Sequence, residues 1–532
     1  MTTTMAAAPA RDALTRVEAE ARAARVRNAA YELAIDLTAG ATTYRGDVIL
    51  RFDVVAPGEP LFLEFRGRRI ERFEINGEAA EPDWRGYRIA VPEELVRDRT
   101  TVRVVYENAY DRTGDGLHHY VDPEDGEEYL YSNFEPYDAH RLFPCFDQPD
   151  IKADYRLTVT APADWVVVGN SPEESAEPVP GRRTRHVFEG TERFSTYLFA
   201  LVAGPYEAVY RNHRGIRLGI YSRRALARYL DPDEIFDVTA AGIDFYAQLF
   251  DTPYRFGKYD QLFCPEFNIG AMENVGAVTI SERYIFRDPA TETQRQERAE
   301  LVLHELAHMW FGNLVTLRWW DDLWLNESFA TYVSFLAIDE ATRFTGAWKS
   351  FADIKRWAYR QDALVTTHPI SADAPDTDTA FLNFDGITYG KGAAVMKQLV
   401  ATIGREAFHE GLRHYFRRHA FANASLADFL AALEEGSGRS LANWSSLWLE
   451  TASLNTLTAE WASAGGTIER FGIRQTAPPA HPVLRPHALE VGLGRESADG
   501  SLAVEAIPAT IDGAFTDVPA AVRRPAPAFV FP

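Results

Sequence analysis

The sequence predicts a multidomain α+β protein. Three observations carry this: strand-like alternation in the first two hundred residues, long Gly- and Pro-free helical runs in the middle, and short strands punctuated by Pro and Gly after Leu454. A chain of 532 residues with 46% apolar content can bury several cores, and its length alone suggests three or four domains. The three regions fall at 1–212, 213–453 and 454–532.

In the first region Val48, Leu50, Phe52 and Val54 alternate with mostly polar neighbours, the two-residue period of a half-buried strand. Leu157 to Thr160, Trp165 to Val168 and Thr196 to Val202 read as further strands bounded by Pro, Gly and Asp. His118 and His119 are adjacent in an acidic stretch and read as an exposed pair, not as a second metal site. From about His213 the pattern becomes helical, in segments from Ile235 to Leu249, Thr293 to Phe311, Leu323 to Ile338, Ala393 to Ile403 and Glu406 to Phe416. Ser425 and Asp428 are spaced as a capping box, ahead of an apolar stripe of Leu426, Phe429, Leu430 and Leu433. His409, His414 and His419 read as structural. After Leu454, the runs Ile468 to Gln475, Ala488 to Leu493 and Leu502 to Ile507 suggest a small β-sandwich.

The most chemically specific stretch is His304-Glu305-Leu306-Ala307-His308. Residues four apart on a helix are offset by only about 40°, so both rings leave one face and can reach one ion. The helix is supported locally: the run from Thr293 to Phe311 has no Gly or Pro and stops near Gly312 and Asn313. Glu305 lies one residue round from His304, where it can touch a metal-activated water and not the metal. Glu327, on the next apolar segment, supplies a third ligand from a second helix. A pentapeptide of this type arises by chance in roughly one chain in forty of this make-up, and a surface histidine pair is then the plainer reading. Requiring Glu327 in its place lowers those odds about tenfold. Two histidines and one carboxylate leave a zinc ion with an open position, as catalysis requires.

Other segments fit the same picture. Gly270-Ala271-Met272-Glu273-Asn274 precedes the metal helix, Ile387-Thr388-Tyr389-Gly390-Lys391-Gly392 follows it, and Phe134-Glu135-Pro136 and Phe143-Pro144-Cys145-Phe146-Asp147-Gln148-Pro149 lie upstream. In this order, from about residue 12 onward, the sequence resembles the M1 family of zinc aminopeptidases. The resemblance implies an N-terminal β-saddle, a thermolysin-like and mostly helical catalytic domain and a C-terminal β-sandwich for the three regions. It also implies one zinc per chain on His304, His308 and Glu327, Glu305 as general base and acid, and Tyr389 as the phenol that stabilises the oxyanion. Glu273 is the implied anchor of the substrate amine and Glu135 its second. Gly270 and Ala271 would line the substrate strand, Ile269 the pocket for the first side chain, and Met272 and Asn274 complete the substrate-binding motif. A buried carboxylate selects a free N-terminus because an ammonium compensates its charge and a neutral amide does not. The family usually carries Gln two residues before the second glutamate; this sequence has Asn133, which bears on how the first residue is gripped.

The expected partners are peptides with a free N-terminus, with broad neutral or basic preference. The alternative is a catalytically impaired, zinc-containing, peptide-binding fragment of a longer protein. A formal charge of −22 argues against nucleic acid and anionic membranes. Cys145 and Cys264 are too few for a disulfide framework, the stretch from Met1 to Ala30 lacks an apolar export core, and no apolar run is long enough to cross a bilayer, so the expected location is cytoplasmic. The family usually adds a large helical domain after the sandwich. The sequence ends at Phe529-Val530-Phe531-Pro532, which reads as an interrupted strand. The expectation is therefore a monomer that is a fragment, or a cleft covered by another chain.

Overall fold

The computed structural model describes residues 11–497 and 499–531. The first ten residues of the Ala-rich N-terminal stretch, and Pro532 of the apolar ending, lie outside them.

Alternation in the first region translates into an eight-stranded sheet. At its centre Val26–Asp36 pairs in parallel with Ala153–Pro162 and antiparallel with Thr43–Val54, so that Leu33 lies beside both Leu157 and Val48. Tyr44, Val48, Leu50 and Phe52 all point into the core, as a period of two requires. A four-stranded sheet orders Val166–Gly169, Leu201–Gly204, Glu128–Asn133 and Gly116–Val121. Its third strand ends two residues before Glu135 and so delivers that carboxylate. The strand expected from Thr196 to Val202 is in fact a 3-10 turn, Thr196–Leu198, followed by the strand Leu201–Gly204.

His118 and His119 are buried in Gly116–Val121, not exposed. Aromatic stacking explains the difference: His118 lies on Tyr131 at 4.8 Å and His119 on Tyr110 at 5.2 Å, with Glu128 Oε2 2.9 Å from His119 Nε2.

A five-stranded sheet follows, in the order Tyr206–His213, Ile216–Arg223, Lys258–Cys264, Ala277–Ser281 and Ala271–Met272. The boundary read at 212/213 falls at the turn of its first hairpin, where His213 pairs with Ile216. Ala271–Met272 is its edge. The helices behind it include Pro232–Leu249, Glu292–His308, Leu323–Ala341, Ala347–Asp362, Gly392–Ile403, Arg405–His419 and Leu426–Ser437. Leu323–Ala341 is buried on every side from Leu323 to Ile338, the mark of a helix at the centre of a fold. Phe250, Phe311, Phe329 and Phe416 lock it to its neighbours, with Phe311 stacked on Phe329 and Phe416 set edge-on to Phe311. Ser425 caps its helix as the spacing predicts, with Asp428 returning a bond to the Ser425 backbone.

One continuous core runs from Leu14 to Leu449. A separate small core, including Ile468, Phe471, Val491, Leu493 and Ile507, fills the space between two three-stranded sheets in the last region. Phe529–Phe531 pairs with His487–Glu496 in one of them. Among the described residues no helix is long and apolar enough to cross a membrane.

The first described residues form an arm that ties the N-terminal sheets to the helical region. Leu14 N donates to Thr377 Oγ1 at 3.2 Å, Thr377 N to the Leu14 carbonyl at 3.1 Å, and Arg11 pairs with Asp376 at 2.9 Å. Asp12 also reaches His140, whose two ring nitrogens meet Asp12 at 3.0 Å and Asp147 at 2.8 Å. Burial alone would lower the His140 pKa, but bonds to Asp12 and Asp147 hold it up at about 10. Its unfolded value is about 6.5, so the stabilisation is complete below that pH and is lost as pH climbs through about 10. Between pH 7 and 10 the thermal midpoint should fall more steeply than in His140→Gln, which loses the pair at every pH. Parallel slopes for the two proteins would show that His140 is not charged in the fold.

Candidate active site

The helix Glu292–His308 begins at Thr291, whose hydroxyl accepts from Gln294 N while Gln294 Oε1 accepts from Thr291 N at 2.9 Å. It ends at His308, and the chain reverses at Gly312, whose φ of +115° is closed to residues with a Cβ. This turn brings Leu323–Ala341 back across the first helix. His304 Nε2, His308 Nε2 and Glu327 Oε2 then form a triangle with edges of 3.1, 3.3 and 3.6 Å.

The triangle fits a metal ion. Donor atoms about 2.0–2.1 Å from a tetrahedral zinc stand about 3.3 Å apart, the middle of the observed range. Glu327 Oε2 is buried with no hydrogen-bond partner, as expected of an atom reserved for a cation. His308 Nδ1 lies 3.0 Å from the Phe311 carbonyl, which can only accept, so Nδ1 carries the proton and the Nε2 lone pair faces the triangle. His304 Nδ1 is 3.5 Å from Thr331 Oγ1. Burial would raise Glu327, but His308 and His304, while they carry their protons, outweigh it and hold the carboxyl down at about 2; a cation on their Nε2 lone pairs would supply the same positive charge, so Glu327 is anionic either way.

Glu305 is buried beside this group, within 4.8 Å of Glu273 and His308 ligand atoms. Burial pushes it up to about 8, against the pull of the two histidines, which gives it the proton affinity of a base near neutrality. Glu135, Glu273 and Glu327 also converge within 4.8 Å. Glu135 and Glu273 each leave Oε1 buried and unpartnered, and burial raises both. Four carboxylates in one cleft call for cations that the side chains around them do not supply in full.

The edge strand Ala271–Met272 pairs with Ala277–Ser281 on one side only, and Ser281 N donates to the Gly270 carbonyl at 3.0 Å. Ile269 is exposed. Met272 is fully buried, and the Asn274 amide donates to Thr279 Oγ1 at 3.1 Å, so these two side chains serve the sheet. Asn133 is buried and donates to the Gly114 carbonyl at 3.2 Å. Tyr389 lies in a π-helical turn, Ile387–Lys391, with its ring 6.1 Å from His304 and 6.1 Å from Trp357. Ser328 on the second metal helix donates to the Thr388 carbonyl at 2.6 Å, and a Cβ at Gly392 would overlap the same Ser328 hydroxyl.

In the sequence Asn313 is legible only as a helix stop, yet its amide holds the Glu273 carbonyl at 2.8 Å. The buried ammonium of Lys152 donates to the Asn313 and Leu314 carbonyls at 3.0 and 3.1 Å, which fixes that turn. Nothing local in the sequence marks either role.

A histidine pair and a glutamate from two packed helices, beside the buried carboxylate of Glu305, form a group that could hold one metal ion. The chain belongs to peptidase family M1: the Peptidase family M1 domain matches residues 234–451 and the Peptidase M1 N-terminal domain residues 28–198. It is 47% identical to aminopeptidase N of Streptomyces lividans, over 97% of this chain and 62% of that protein. It is 37% identical to aminopeptidase M1 of Arabidopsis thaliana, over 62% of this chain and 37% of that protein, and 31% identical to glutamyl aminopeptidase of Bos taurus, over 76% of this chain and 45% of that protein. The chain thus spans less than two thirds of the length of these relatives.

Proposed function

We propose that the chain is a zinc-dependent aminopeptidase that releases single residues from the N-terminus of peptides. The observation that carries this is the pair of unpartnered carboxylates, Glu135 and Glu273, set beside the ligand triangle. They fit an ammonium group one residue away from the bond to be cut. In such an enzyme 1–212 would be a β-saddle, 213–453 a thermolysin-like domain and 454–532 a β-sandwich. The chain would be a cytoplasmic monomer, in keeping with two buried free cysteines.

His304, His308 and Glu327 would hold the zinc. When bound, it polarises the scissile carbonyl and lowers the pKa of a water. The chain's own groups do the rest. Glu273 and Glu135 bind the substrate ammonium, and the edge at Ala271–Met272 pairs with the peptide main chain. Glu305 takes the proton of the attacking water and returns it to the departing amine. The Tyr389 hydroxyl donates to the oxygen that becomes negative as the carbonyl turns tetrahedral. Ile269 lines the mouth of the first side-chain pocket, with a broad neutral or basic preference.

The test is hydrolysis of leucyl-p-nitroanilide and of an internally quenched peptide, each with and without an N-acetyl group. Only the free amines should be cleaved; cleavage of blocked peptides would make the protein an endopeptidase. Glu273→Ala should raise KM for free amines by about 10- to 100-fold, the loss of a buried charge-assisted contact, with zinc content unchanged. An unchanged KM would remove Glu273 from amine binding.

A further inference from the structure

A cavity of about 890 Å³ opens where the helices Ala347–Asp362 and Gly392–Ile403 meet the strands His487–Glu496 and Leu502–Ile511. Gln398 ties that junction together, donating to the Ala488 carbonyl at 2.7 Å and accepting from Ala488 N at 3.0 Å. The volume lies within the range of small-molecule sites, about 300–1,000 Å³. Trp348, Phe351, Tyr359 and Trp448 give it flat apolar walls.

Its charge is opposite to that of the chain. Lys355, Lys391, Lys397 and Arg485 line it against one acid, Glu490, in a protein with formal charge −22. Lys391 is neutralised by Asp362 at 3.0 Å. Among the described residues, no carboxylate forms an ion pair with the other three. Lys355 and Lys397 lie over the Tyr359 and Trp348 rings, at 5.5 and 3.9 Å. Arg485 is 2% exposed, yet its guanidinium meets only neutral oxygens: the carbonyls of Leu447, Thr451 and Ala452 at 2.9, 3.1 and 2.9 Å, Thr451 Oγ1 at 2.7 Å and Asn455 Oδ1 at 3.1 Å. The one carboxylate whose field reaches it, Asp362, is already paired with Lys391, and a buried cation so sparsely compensated favours an anion beside it.

We propose that this cavity binds a small organic anion with a planar apolar body, its carboxylate or phosphate held by Lys355 and Lys397 in the field of Arg485 and its rings against Trp348 and Trp448. Gly390 and Lys391, from the turn that carries Tyr389, form part of the wall. An occupant therefore touches the back of the element whose front faces His304, and the site is distinct from the peptide cleft.

The experiment is calorimetric titration of the zinc-loaded chain with 1-naphthoate, 1-naphthyl phosphate and neutral 1-naphthamide. Both anions should bind, the amide at least tenfold more weakly, and whichever anion is tighter identifies the acidic group the site prefers. Lys355→Met with Lys397→Met should weaken the anions at least tenfold and leave the amide and the melting temperature unchanged. If that pair disturbs folding, K355Q and K397Q singly carry the same comparison. Equal binding of anion and amide, undiminished anion binding in the variants, as an anion seated on the zinc would give, or no binding up to millimolar ligand would each overturn the proposal.

Discussion

Glu305→Gln should lower kcat by about 10²- to 10⁴-fold while the protein keeps its zinc, the range measured when a positioned general base is removed. The amide preserves shape and volume in a buried position but cannot take a proton. No neighbouring acid is free to replace it, since Glu327 completes the ligand triangle, and Glu135 and Glu273 stand where the ammonium would sit. The loss corresponds to about 3–5 kcal/mol of transition-state stabilisation. Zinc content and turnover should separate cleanly; retention of most of the rate would mean that the base lies elsewhere.

Glu327→Ala should have the opposite signature, with the metal lost first and activity lost as its consequence. Glu327 is the only carboxylate in the triangle and the only one of the four acids in the cleft held well below the usual range. Residues that merely support ligands alter metal affinity by about 10- to 100-fold, so removal of a ligand should exceed that. After dialysis against buffer with nanomolar free zinc, elemental analysis should find well under one ion per chain, against one in the unaltered protein. Full occupancy in the variant would refute the ligand assignment.

The parts of this site that are legible in the sequence are those set by helical period. His304 and His308 are four apart, and that spacing fixes their common face wherever the helix lies. Glu327 requires only that the next helix return across the first, which the break at Gly312 signals. Glu135 is different. It reaches the cleft from just beyond the end of Glu128–Asn133, through tertiary placement of that strand, and no local pattern carries that information. Only the resemblance to M1 sequences places it. The five-stranded sheet is obscured for a related reason: Lys258–Cys264 and Ala277–Ser281 are buried on both faces and show no alternation. His118 and His119 look exposed in the sequence because their partners, Tyr131, Tyr110 and Glu128, lie on other strands or turns.

The arm around Leu14 has a consequence for the order in which the protein assembles. Its docking partner, Thr377, lies 363 residues further along the chain. A ribosome adds about 5–20 residues per second, so the arm must wait roughly 20–70 s after its own synthesis before Thr377 exists to receive it. During that interval the N-terminal sheets can form, but Arg11 has no seat beside residues 376–378. Made early, the arm is thus fastened late, and it acts as a clasp that closes only when the helical region has emerged and folded.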